Sequence, residues 1–145
     1  MYKLILSIFL LSPVFLLQAQ TGHETGYPSV KNFTAADYHA HAQNFAITSD
    51  KDGMLYAGNF AGVLQFDGER WRLIPTANGT KVSALATAAD GTIYVGARGE
   101  AGFLQTSPNG ATVFQSLPFD TAFPQPVFGE IISILNLGET MFFVS

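Results

Sequence analysis

The sequence predicts an all-β protein, a partial β-propeller of two four-stranded blades and the start of a third, preceded by a signal-peptide helix. Three observations predict it. A near-copy of one phrase recurs about forty residues on, each copy divides into four short apolar runs, and Asp-Gly or Asn-Gly punctuates those runs. AITSDKDGMLYAG at residues 46–58 lies over ALATAADGTIYVG at residues 84–96, a shift of 38. After two inserted residues AGVLQ at 61–65 lies over AGFLQ at 101–105, a shift of 40, and Asp67-Gly68 corresponds to Asn109-Gly110. A third copy begins in IISILNLGETMFFVS, with Met141-Phe142-Phe143-Val144 expected in the place of Thr92-Ile93-Tyr94-Val95. A sandwich or simple barrel would not require the repetition.

The first copy supplies the strands FAITS, MLYAGN, VLQFD and RWRLIP. Asp-Gly between apolar runs is a hairpin signal because glycine reaches positive φ without a Cβ penalty. MLYA and TIYV are continuously apolar, as for strands covered on both faces. In RWRLI, Trp71 and Leu73 fall on one face, to be packed, and Arg70 and Arg72 on the other. That suits a half-exposed outer strand whose charges discourage edge pairing. Blades are expected over residues 43–75, 82–117 and 128–145, after an N-terminal arm at 21–42. YPSVKNFT, within that arm, reads either as a ring-closing strand whose partner lies beyond Ser145 or as a loose arm. Propellers need about four to eight blades to cover their apolar faces, so these residues are expected to be the front of a longer protein.

The leader has the three parts of a secretory signal: a cation in MYK, the apolar run LILSIFLLSPVFLL, and small residues in QAQ. At about 14 residues the run is short of the roughly 20 needed for a membrane span, and export with cleavage near residue 20 is expected. Seven basic residues face eleven acidic ones with no basic cluster, which argues against nucleic acid as a partner. The absence of cysteine removes disulfides, thiolate metal sites, cysteine nucleophiles and a lipid-modified cysteine.

His39 and His41 would share a face on a strand, but no third ligand is nearby and no metal is expected. DKDG alternates Asp50 and Asp52 like half a calcium loop, yet Met54 occupies the next ligand position, so a tight turn is expected. Lys51 likewise breaks an Asp-box pattern. Glu100 with Asp120 or Glu130 could form a glycosidase pair, though no spacing sets them opposite each other. No serine sits in a nucleophile elbow, and the NFT and NGT sequons are read as accidental. The expectation is a non-enzyme without cofactors.

The quoted residues carry a family resemblance. The run from YPSVKNFT through GVLQFDGERWRLI, continued by DGTIYVGARGEAGFL and VFQSLP, resembles the opening of bacterial two-component regulator propeller proteins over about residues 27–145. Phe45 stands where such sequences commonly carry Trp, and Phe66 where they carry Tyr. The resemblance implies an extracytoplasmic sensor, on the periplasmic side of the inner membrane. It also implies further blades, a three-tyrosine β-sandwich, a membrane span and a cytoplasmic kinase or DNA-binding output domain after Ser145. A small-molecule or carbohydrate ligand is implied by the resemblance alone. In a propeller, the turns between second and third strands share one face with the links between blades. That face here carries Asn59, Phe60, Arg98 and Glu100, near Asn78 and Lys81. Arg98 and Glu100, set among glycines, read either as ligand-facing or as a salt bridge between neighbouring blades. The rival functions are a polysaccharide-active enzyme and a protein-binding scaffold.

Overall fold

A computed structural model describes residues 26, 29–118 and 129–145. The expected signal peptide and residues 119–128, Asp120 among them, lie outside the described residues. The chain divides into two compact units, Met1–Lys31 and Asn32–Ser145, and the sheets all belong to the second. Among the described residues no helix is long and apolar enough to cross a membrane.

Among the described residues one helical turn, α1 (Ala35–Tyr38), precedes ten strands. Asp37 holds its start: Oδ2 accepts from the Thr34 N–H at 2.6 Å and from the Thr34 hydroxyl at 2.7 Å. The strands β1 (Asn44–Ser49), β2 (Leu55–Asn59), β3 (Gly62–Phe66) and β4 (Trp71–Ile74) form one antiparallel sheet in chain order. A second sheet, again in chain order, contains β5 (Val82–Thr87), β6 (Ile93–Ala97), β7 (Glu100–Thr106) and β8 (Thr112–Ser116). A two-stranded hairpin follows, β9 (Ser133–Leu137) and β10 (Thr140–Val144). The two four-strand units read from the sequence are therefore present, within about a residue at each end. The run at residues 29–34 pairs with no strand among the described residues.

Local chemistry explains the turns. At the β1–β2 turn Asp50 Oδ1 accepts from the N–H groups of Asp52 and Met54 at 3.0 and 2.9 Å, and Gly53 takes φ 83°. Tyr56 donates its hydroxyl to Asp50 Oδ2 at 3.1 Å, so this carboxylate is committed to the turn, as read from the sequence. At the β3–β4 turn Asp67 Oδ1 accepts from the N–H groups of Glu69 and Arg70.

The sheets stack on one another through their faces. Val63, Tyr56 and Ile74 from the first sheet close on Val82, Ile93, Val95 and Leu104 of the second. Ala84, Ala101, Ala86 and Tyr94 on the other side of the second sheet meet Ile131, Ile134, Met141 and Phe143. The strands β1, β5 and β9 lie side by side, while contact thins out toward β4 and β8. Glycine permits the close approach: a Cβ on Gly58 would sit 2.8 Å from the Val82 carbonyl oxygen, and one on the matching Gly96 would sit 2.5 Å from Ile131 Cγ2.

The third copy corrects the sequence reading by one residue. Met141 and Phe143 face the second sheet as Ile93 and Val95 face the first, so Met141 occupies the place of Ile93 rather than of Thr92. The short Gly138-Glu139 turn shifts the register, and in a strand a one-residue shift exchanges the two faces. Phe142 and Val144 consequently point outward with Leu135 and Leu137.

Trp71 packs as expected. Its ring stacks on Phe66 at 4.6 Å and meets Phe33 and Tyr38 edge-on at 5.3 and 5.8 Å. Its buried Nε1 has no acceptor among the described residues. These rings, with Ala57 and Leu64, cover the outer part of the first sheet's free face, while Ile47 on β1 stays 72% exposed.

Candidate functional site

The chain order of each sheet puts the β2–β3 and β6–β7 turns at one end, together with the β4–β5 link. Phe60, Gly79, Thr80, Lys81, Arg98 and Glu130 line one recess there of about 240 Å³. Matching backbone bonds build it: the Phe60 N–H donates to the Gln43 carbonyl at 3.3 Å, and the Arg98 N–H to the Lys81 carbonyl at 3.0 Å. A third segment joins through the Gly99 N–H, which donates to Gly129 at 2.8 Å, and through the Arg98–Glu130 bridge.

The four residues that the sequence puts on this end divide into two pairs. Asn59 is fully buried. Its Nδ2 donates to the carbonyls of His41 and Gln43 at 2.5 and 3.1 Å and to Asn44 Oδ1 at 2.7 Å. Its Oδ1 accepts from the N–H groups of His41 and Ala61 at 3.2 and 2.9 Å. Glu100, 5% exposed, accepts from the Asn78 N–H at 3.1 Å and the Thr80 hydroxyl at 3.0 Å. Both side chains therefore hold the segment that leads into their own sheet, and neither faces solvent. Phe60 and Arg98 are the exposed members.

An ion pair does cross the copies, between partners the sequence reading did not join. Lys81 Nζ pairs with Glu130 Oε1, which also accepts the Ser83 hydroxyl at 2.7 Å. The Lys81 hydrogen bond, with Ser83 next, holds the Glu130 carboxyl below its ordinary range, and the nearby Arg98 charge adds to this. Lys81 Nζ also lies 4.6 Å from the Phe45 ring centroid, a cation–π contact. Phe45 and Ser83 are matching residues at register shifts between Asn44 and Ala46 and between Val82 and Ala84. An extra residue in one strand of a pair re-aims its side chain, and here one meets the Lys81 ammonium and the other the Glu130 carboxylate. Sequence reasoning missed these two because a bulge leaves no compositional trace; their shared position in the two copies was the available signal.

His41 lies against Phe60 with the rings tilted by 34° and centroids 4.8 Å apart, and its Nδ1 accepts from the Gln43 N–H at 3.2 Å. His39 closes α1 with φ 50°, so the two histidines belong to a turn and not to one strand face. Among the described residues no three His, Cys, Asp or Glu groups gather as a metal site would require. The recess thus combines an exposed aromatic ring, an exposed guanidinium, a hydroxyl and a neutralised Lys–Glu pair. Such a set can hold a small polar ligand by hydrogen bonds and ring contact. Comparisons with family models, curated proteins and solved structures return no match for this chain.

Proposed function

We propose that the chain is the exported ligand-sensing segment of a bacterial signal-transduction receptor, built as part of a β-propeller and non-catalytic in itself. In this reading the remaining blades, a membrane span and the output domain belong to the rest of the receptor. The observation that carries it is the repeated unit. Two sheets of the same strand order and the same bulge position stack in one direction, close at their first strands and diverging at their last. Stacking that opens outward in this way supports a radial arrangement. The leader and the family resemblance support export and sensing.

The ligand end is the recess around Phe60 and Arg98, and the ligand is a small molecule such as a carbohydrate. Phe60 offers a ring face and Arg98 offers donors, while the Thr80 hydroxyl, whose O–H goes to Glu100, keeps only acceptor capacity. Of the carboxylates put forward for a hydrolase, the two among the described residues are committed elsewhere: Glu100 holds the β4–β5 link, and Glu130 binds Lys81 and Ser83.

Calorimetric titration of the mature chain with a panel of mono- and oligosaccharides tests the reading. Binding weakened by roughly tenfold or more in Phe60→Ala or Arg98→Gln, about 1.4 kcal/mol, supports it. Sugar binding unaffected by either change, or turnover of any glycan, would falsify it. Export is checked separately, by phosphatase activity of a fusion joined after residue 25.

A further inference from the structure

We infer a second binding site, for a small ligand bearing a carboxylate or sulfate group, in the cleft between the first two sheets at the Asp-Gly-turn end. This cleft of about 440 Å³ is lined by Met54, Gln65, Arg70, Arg72 and Thr112, with Asp67, Trp71 and Gly110 completing its wall. It shares no lining residue with the recess at the other end.

The cleft is assembled before any ligand arrives. Gln65 and Arg72 are cross-strand partners, so their side chains leave the sheet on one face. Gln65 Nε2 donates to the Thr112 hydroxyl at 3.2 Å, and Arg72 Nη2 donates to the Thr112 carbonyl. That anchor fixes the Arg72 fork and uses one of its five N–H donors, leaving others to bind. Arg70 comes two residues earlier, and the ion pair found among the described residues engages neither arginine. Asp67 is the one carboxylate in the lining, and its Oδ1 is taken by the N–H groups of Glu69 and Arg70. Two guanidiniums against one carboxylate leave a net positive cleft, and paired fork donors suit an oxyanion. Met54 adds an apolar wall.

The next cleft along the stack sharpens the assignment. Between the second sheet and the hairpin, the corresponding space is lined by Asp90 and Glu139 with Tyr94 and Met141, and carries no cation. Positive charge is therefore a property of these side chains and not of the stacking.

Amide-resolved NMR titration with sodium benzoate and with sodium sulfate, at constant ionic strength, tests the site; benzamide is the neutral control. Saturable shifts at the backbone amides of Gly110, Thr112 and Arg72, with a roughly millimolar dissociation constant for one anion or both, are expected. Which anion binds separates the carboxylate source from the sulfate source. Arg70→Gln, whose side chain ties no other element, should weaken binding about tenfold with the sheets intact, and Arg98→Gln should leave it unchanged. Absence of saturation by about 20 mM, an equal response to benzamide, or undiminished binding in Arg70→Gln overturns the inference.

Discussion

The first and second sheets perform one local task with opposite chemistry. In the first, the neutral amide of Asn59 both donates and accepts, gripping the backbone at residues 41–44. In the second, the matching position is Ala97, buried and without a polar side chain. The latch has moved to Glu100, beyond the two inserted residues, and it only accepts, taking the N–H of Asn78 and the hydroxyl of Thr80. Repeats preserve the requirement that a lead-in segment be tied down, because its backbone groups are removed from water at the sheet end. They do not preserve the residue that meets it.

That comparison can be broken most directly by exchanging the chemistries. Asn59→Asp sets a carboxylate against two carbonyl oxygens and a side-chain oxygen that now receive a donor. Urea denaturation should show a loss of about 3 kcal/mol or more, larger than for Asn59→Ala. Glu100→Gln keeps an acceptor oxygen toward Asn78 and Thr80 and should cost only about 1 kcal/mol. Equal losses in the two exchanges would mean that the latches are not distinct in kind.

The glycine pair comes next in expected effect. Gly58→Ala and Gly96→Ala each place a methyl group inside a joint between sheets, the first against a backbone oxygen and the second against the Ile131 side chain. Losses of about 1–3 kcal/mol are expected, with Gly58→Ala the larger because backbone yields less than a side chain. Tyr56→Phe should then cost about 1 kcal/mol, from the hydroxyl shared with Asp50 and Gln65. Burial pushes the Tyr56 phenol above its ordinary 10.0, and the Asp50 carboxylate adds to this against the opposing Gln65 bond. Its contribution is therefore complete below pH 10.0 and is lost as pH rises through the higher folded value.

The smallest effect concerns the half-buried Lys81–Glu130 pair. The Glu130 carboxyl titrates below its ordinary 4.5 in the folded chain, so its contribution is present above that value and fades as pH falls through the lower folded one. Asp67 and Asp90 act in the same direction, through N–H groups of their own turns. A thermal-melting profile should drop below pH 4.5, and Glu130→Gln should shallow the drop slightly without removing it.

Much of this architecture is legible in the residues because turn chemistry and alternation are local. Asp50, Gly53, Asp67 and Gly68 mark where strands end, and Trp71, Arg72 and Leu73 alternate between covered and exposed positions as their spacing implies. The candidate site was legible only as an end of the molecule. Asn59 and Glu100 are polar residues at turns, which is also how ligand-facing residues look; only coordinates reveal that they point inward. The third copy misled because counting from a shared apolar run cannot detect a turn shortened to Gly138-Glu139, and one residue reverses the faces.

The sequence by itself determined the all-β class, the four-strand units, the positions of the turns and the packing role of Trp71, since each follows from short-range spacing and backbone preference. Tertiary structure alone decided that Lys81 meets Glu130, that Phe45 and Ser83 converge on that pair, and that Arg72 reaches Thr112. Those contacts join residues about forty or more positions apart, or depend on a bulge. Their partners are chosen by how two sheets settle against each other, a long-range choice that no local pattern encodes.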